Sequence, residues 1–279
     1  MAAVGEEMKI AIPISTEETS VKLNKAYVDY VADAGFIPVL IPQQTRNLKT
    51  YAEMCDGMIL PGGRDIDPMS YGEDNIFSYS CDPDKDDFER AILLHFLALK
   101  KPVFGICRGL QLIAYEFIKA NAHTIKDNLI LCQHIGEHDR NNSLRIARTW
   151  PTHFILARRR VLYGIDEKGW AKISVNSMHH QYLHCNTAEQ RIRNNMVVVD
   201  GMIISGVTRL GLDAKTVGCV VESFIIPGWN VSAVQWHPEE LKDYKLIQEF
   251  FVKGMDVWKN QDNGPLNSSS SDKRQAASS

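Results

Sequence analysis

Four runs in the first half of the chain are apolar through their centres: 8–14 (MKIAIPI), 36–42 (FIPVLIP), 56–63 (DGMILPGG) and 102–106 (PVFGI). A strand with one wet face alternates apolar and polar residues, whereas a continuous apolar run needs cover on both faces. Stretches with helical spacing separate these runs. In 22–35 the residues Leu23, Ala26, Tyr27, Tyr30, Val31 and Ala34 share a face, and Gly35 ends the pattern. Similar patterns occupy 46–55, 86–101 and 108–120. This alternation predicts a three-layer α/β sandwich with a mostly parallel central sheet. Open sheets of that kind form sites beyond the carboxyl ends of their strands. Two glycine-bearing turns, Gly62-Gly63 and Gly105 to Gly109, fall at such ends.

The second half is richer in strand patterns, at 171–177, 196–201, 202–210, 216–226 and 231–237, before a helical pattern at 239–258. Residues 1–259 are expected to form one domain. Residues 260–279 are Ser-rich and nearly free of large apolar groups, which predicts a disordered tail. A net charge of −3 gives no pull towards nucleic acid or an anionic membrane. The N-terminus lacks the basic and apolar regions of a secretory signal, and no run approaches a membrane span. The expected location is therefore cytoplasmic, with the six scattered cysteines as free thiols.

The chemistry centres on FGICRGLQ at 104–111. A strand, a cysteine between glycines and then a helix is the layout of a nucleophile elbow. The sharp turn lifts Cys107 above the sheet edge, and the helix directs its N–H groups and positive end at the sulfur. Taken alone, the pattern also suits a small cysteine packed beneath a helix. A candidate base lies in AVQWHPEEL at 233–241, where His237 and Glu239 are two residues apart at a strand end. Strand alternation puts them on one face, where the carboxylate can orient the imidazole. Two histidine-rich stretches, CQHIGEH (132–138) and HHQYLHC (179–185), match no standard zinc spacing, so no metal is expected. Arg158, Arg159 and Arg160 read as a solvated strand edge.

In order along the chain, PGGRDIDPMSYGE (61–73), FGICRGLQ (104–111), VNSMHHQ (175–181) and VQWHPEE (234–240) together resemble the class I glutamine amidotransferase-like hydrolases. The nearest branch is the gamma-glutamyl-gamma-aminobutyrate hydrolase, or peptidase C26, type. The resemblance runs from about Met8 to about Trp258. It implies a flavodoxin-like fold and a cysteine hydrolase that cleaves the amide of a small γ-glutamyl compound through a thioester.

By that resemblance Cys107 is the nucleophile, His237 the base and Glu239 its partner. The main-chain N–H groups of Gly63 and Arg108 would form the oxyanion hole. Gly62, Arg64, Gln111, Asn176, Ser177, His179 and His180 would bind substrate. No cofactor is implied, and a homodimer is left open. Two stretches depart from the pattern: 121–160, where Asn121-Ala122 replaces a Gly-Gly turn, and the elongated 184–217, with a hairpin-like turn at Asp200-Gly201. Both are expected at the pocket rim over the leaving amine, whose identity therefore does not carry over. Alternatives are a glutaminase that feeds ammonia to a partner synthase, a γ-glutamyl transferase, and a non-catalytic scaffold.

Overall fold

A computed structural model of the chain describes residues 7–17, 20–44, 46–125, 128–135, 138–163, 169–186, 197–209 and 219–253. The expected tail at 260–279 lies outside them. The strands are β1 (Lys9–Glu17), β2 (Ser20–Lys22), β3 (Ile37–Pro42), β4 (Gly57–Leu60), β5 (Val103–Ile106), β6 (Leu129–Cys132) and β7 (His153–Ala157). They continue with β8 (Ala171–Val175), β9 (Tyr182–Cys185), β10 (Val197–Val199), β11 (Met202–Arg209), β12 (Cys219–Ile226) and β13 (Val231–Val234). The helices are α1 (Lys25–Asp33), α2 (Leu48–Met54), α3 (Pro83–Ala98), α4 (Arg108–Ala120) and α5 (Ala122–Ile125). After them come α6 (Arg140–Ser143), α7 (Arg159–Tyr163), α8 (Pro238–Leu241) and α9 (Tyr244–Lys253).

Strands β3, β1, β4, β5 and β13 pair in parallel in that order. Taken in chain order they run second, first, third, fourth, fifth, the flavodoxin-like arrangement. An antiparallel wing of β12, β11, β7 and β8 extends the sheet beyond β13. Alternate side chains leave opposite faces. Met58 and Leu60 pack with Phe88, Ile92 and Phe96 of α3 and Ile113 and Phe117 of α4, while Ile59 packs on the other face with Tyr30, Val31 and Phe250. Both faces of β4 are dry, which is why it reads as apolar throughout, whereas the edge strand β3 leaves Ile37 and Leu40 of its apolar run exposed.

Local signals explain most boundaries. Asn24 caps α1 by accepting from the Ala26 N–H at 3.1 Å. Asp82 caps α3 through the Lys85 N–H at 3.1 Å, with Pro83 in the first turn, so this helix starts three residues before the expected 86. Lys22 belongs to β2, which pairs antiparallel with β1, and not to the helix expected from 22. Of the pattern at 239–258, the described residues up to Lys253 form two helices, broken where Lys242 takes a φ of 56°, and the remainder lies outside the described residues. Arg158, Arg159 and Arg160 do not lie on a strand edge: they lead into and begin α7, half-buried.

The nucleophile turn depends on close backbone approach at Gly109. A Cβ there would lie 2.2 Å from the Leu60 carbonyl oxygen, so α4 sits directly on the end of β4. Because the obstacle is backbone, it cannot move aside. Gly109→Ala is expected to cost ~3 kcal/mol and to lower the melting temperature by roughly 10 °C. A melting temperature unchanged from wild type would show that the contact is looser than this packing.

Candidate active site

Cys107 follows β5 directly and caps α4 with φ 52° and ψ −106°. This left-handed conformation is costly for any residue with a Cβ, and such strain marks sites where side-chain direction matters. Two bonds hold the turn: Cys107 N–H donates to Val234 O at 2.8 Å, and Gln111 N–H donates to Cys107 O at 3.2 Å. The Gln235 side-chain amide donates to the Cys107 sulfur at 3.5 Å.

His237 lies just beyond β13, the parallel neighbour of β5. Strand pairing therefore carries base and nucleophile to the same edge. Its Nδ1 is 2.6 Å from Glu239 Oε1, and its ring and the Cys107 side chain both border Gly62, where an added Cβ would lie 2.9 Å from His237 Cε1 and 3.4 Å from Cys107 Cβ. Both His237 and Glu239 are buried. Burial alone would lower the imidazole pKa, but Glu239, then Cys107, outweighs it and holds the group up to about 10. The candidate nucleophile, base and orienting carboxylate thus form one connected group.

That shift has a stability consequence. A group whose folded pKa exceeds its unfolded value stabilises fully below the unfolded pKa and loses that contribution as pH rises through the folded one. His237 is expected to contribute most below about 6.5 and to lose its contribution as pH climbs to about 10. In Glu239→Gln the main cause of the shift is gone, so the loss should set in at lower pH. Urea unfolding across this range checks it; parallel pH profiles for the two proteins would remove Glu239 from this role.

Two residues not singled out as site residues complete the inner wall. The Tyr27 hydroxyl accepts from the Gly62 N–H at 2.9 Å and lies 3.4 Å from His237 Nδ1. Lys85 is buried, with its ammonium 3.5 Å from Glu89 Oε1, and a Cβ on Gly63 would come within 2.8 Å of it. In the sequence Tyr27 looks like an ordinary position of an amphipathic helix, and Lys85 falls just ahead of the helical pattern read at 86–101. The Gly63 and Arg108 N–H groups have no acceptor among the described residues. The Arg108 side chain turns away, into a buried ion pair with both Asp86 and Glu89.

These groups border a cleft of about 790 Å³ lined by Gly62, Gly63, Arg64, Lys85, Cys107 and His237 among others. Asn142 and Arg148, from the first departing stretch, also line it, whereas no described residue of 184–217 does. Five expected substrate contacts are not on its lining. Gln111 is buried, donating to Gln181 O at 2.9 Å and Gln235 Oε1 at 3.3 Å. Asn176 brackets the His237 backbone, accepting from its N–H at 2.9 Å and donating to its carbonyl at 3.1 Å. Ser177 bonds to the His138 carbonyl. His180 pairs with Asp65 at 2.8 Å. His179 lies among His138, His153 and Glu222, where burial pushes its pKa down to about 3. Of that stretch, Met178 reaches the cleft. A loop has no period from which facing can be read, so the sequence marks the segment but not its orientation.

A flavodoxin-like sheet with a cysteine elbow at its edge, together with its family and relatives, makes this a glutamine amidotransferase-like hydrolase acting on amide bonds. The chain belongs to the Peptidase C26 family, whose family model matches residues 5–239. It is 29% identical over 238 residues to the glutamine amidotransferase-like protein YvdE of Lactococcus lactis, covering 82% of this chain and 87% of that one. It is 26% identical over 235 residues to the gamma-glutamyl-gamma-aminobutyrate hydrolase PuuD of Escherichia coli, covering 82% and 83%. Its fold is similar to the crystal structure of a GMP synthase-type protein from Thermoplasma acidophilum. The TM-score is 0.52 at 14% identity, over 88% of this chain and 95% of that one. No helix among the described residues is long and apolar enough to cross a membrane.

Proposed function

We propose that this protein hydrolyses the γ-glutamyl amide bond of a small compound, with Cys107, His237 and Glu239 as its catalytic group. The observation that carries the reading is the strained cysteine held against a His–Glu pair inside a cleft with cationic walls. Cys107 attacks the side-chain carbonyl, and the Gly63 and Arg108 N–H groups receive the charge that develops on its oxygen. His237 passes a proton to the departing amine, leaving a γ-glutamyl thioester. Water, deprotonated by His237, then releases glutamate. Arg64 and Lys85 are the cations on the cleft wall beside Gly63, suited to the α-carboxylate of a glutamyl group.

The test is glutamate release by the purified protein from γ-glutamyl-γ-aminobutyrate, other γ-glutamyl amides and free glutamine. Release from an amide in preference to glutamine is expected, and the better amides identify the leaving group. Release from glutamine alone would replace this reading with that of a glutaminase that supplies ammonia to a partner. Retention of the γ-glutamyl group on an added amine would replace hydrolysis with transfer.

A further inference from the structure

We infer that His138, His179 and Glu222 form a buried binding site for a divalent transition-metal ion of the zinc type, distinct from the catalytic group. One donor atom from each residue lies within 4.8 Å of the other two, and all three residues are buried. They come from the turn before α6, the loop before β9 and the middle of β12.

The separations favour shared coordination over hydrogen bonding. His138 Nδ1 is 3.4 Å from His179 Nε2 and 3.6 Å from Glu222 Oε1. Those are long for N–H···N or N–H···O bonds, whose usual lengths lie near 3 Å. Donors placed tetrahedrally about zinc at its ordinary bond lengths stand roughly 3.3 Å apart. The orientation of His179 fits as well. Its Nδ1 is 3.0 Å from the Gln181 carbonyl, which can only accept, so Nδ1 carries the proton and Nε2 presents a lone pair. A carbonyl behind the free ring nitrogen is the usual support of a metal-binding histidine. Glu222 is also oriented by His153, whose Nε2 is 3.2 Å from the same oxygen, Oε1. Its other oxygen, Oε2, is buried and makes no hydrogen bond among the described residues, so the carboxylate carries an unsatisfied polar atom beside the cluster; the fourth position about the ion would be left to a water.

An ion here would tie three segments beneath the cleft. The Gln181 carbonyl that supports His179 also receives Gln111, which contacts Gln235 beside Cys107. The site would be structural, since no donor lines the cleft. Spacing along the chain conceals it because each donor comes from a different segment.

The experiment uses untagged full-length protein, stripped with a chelator and then equilibrated with zinc or cobalt(II). About one zinc per chain is expected, with the absorption bands of four-coordinate cobalt and a rise in melting temperature on zinc addition. His179→Ala and Glu222→Gln should each lower cobalt affinity roughly 100-fold or more, and His153→Gln by about 10–100-fold. His134→Ala and His184→Ala should leave it unchanged. Should a ligand variant fail to fold, zinc-edge X-ray absorption of the wild type decides: two imidazoles with carboxylate oxygen support the site, and sulfur ligation overturns it. No retained zinc with no cobalt bands, or affinity insensitive to the Glu222 and His179 changes, would show a purely polar cluster.

Discussion

Cys107→Ala is expected to lower kcat for γ-glutamyl amide hydrolysis by roughly 10⁶-fold, with a melting temperature close to that of wild type. Removing the nucleophile of a connected group costs about as much as removing the whole group, which sets this magnitude. Fold and activity should separate here because the side chain is small and the Gln235 amide approaches its sulfur only at 3.5 Å. The backbone strain at φ 52° remains in alanine. Cys107→Gly should be equally inactive but more stable than Cys107→Ala by ~1–2 kcal/mol, because glycine relieves the strain. Single-turnover assays and thermal melts of the three proteins check both parts. Turnover near wild type in Cys107→Ala would move the nucleophile elsewhere, and equal stability of the alanine and glycine variants would mean that the elbow is unstrained.

Arg108→Leu carries the largest expected effect on stability. The Arg108 guanidinium is buried between Asp86 and Glu89, at 2% exposure for the arginine and 0% for Glu89. Burial disfavours each charge, and the partners offset that cost: Asp86 remains raised by burial, with Arg108 the chief opposing influence. Removing only the guanidinium leaves Asp86 without its cation and Glu89 with Lys85 alone, and breaking a buried pair in this way costs ~3–5 kcal/mol. That is a large fraction of the stability of a typical domain. Replacing Asp86 by Asn in the same chain should recover part of the loss, since Asp86 is the carboxylate left without a cation while Glu89 keeps Lys85 at 3.5 Å. The leucine variant keeps the main-chain N–H at 108, so its folded fraction should retain most of its kcat. Urea unfolding gives the stability. A loss below ~1 kcal/mol would show that water reaches the pair, and a kcat loss on the scale of Cys107→Ala would give the guanidinium a chemical role.

The two stability predictions share one cause. Gly109 lets α4 rest on β4, and Arg108 ties α4 to α3, which carries Lys85 to the cleft wall. The turn that presents Cys107 is thus clamped on both sides, by backbone contact and by an ion pair. Strain at a single residue persists only where its surroundings over-determine it.

The sequence by itself determined the layered α/β architecture, because a strand dry on both faces must be apolar through its buried length, as β4, β5 and the 10–14 centre of β1 are. It also determined the elbow at Cys107 and the His237–Glu239 pair, because both are local: glycines flank the one, and two residues separate the other. Only the tertiary structure decided what faces the cleft. Tyr27 follows a helical pattern that serves equally for packing or solvent, Lys85 precedes the pattern read at 86–101, and their approach to Gly62 and Gly63 depends on how α1 and α3 seat on the sheet. The loop 176–181 has no period, so its sequence does not tell that Asn176 grips the His237 backbone while His179 turns inward. His138, His179 and Glu222 lie on segments far apart in the chain, two of them on loops outside the antiparallel wing, and no spacing within a single segment encodes their meeting.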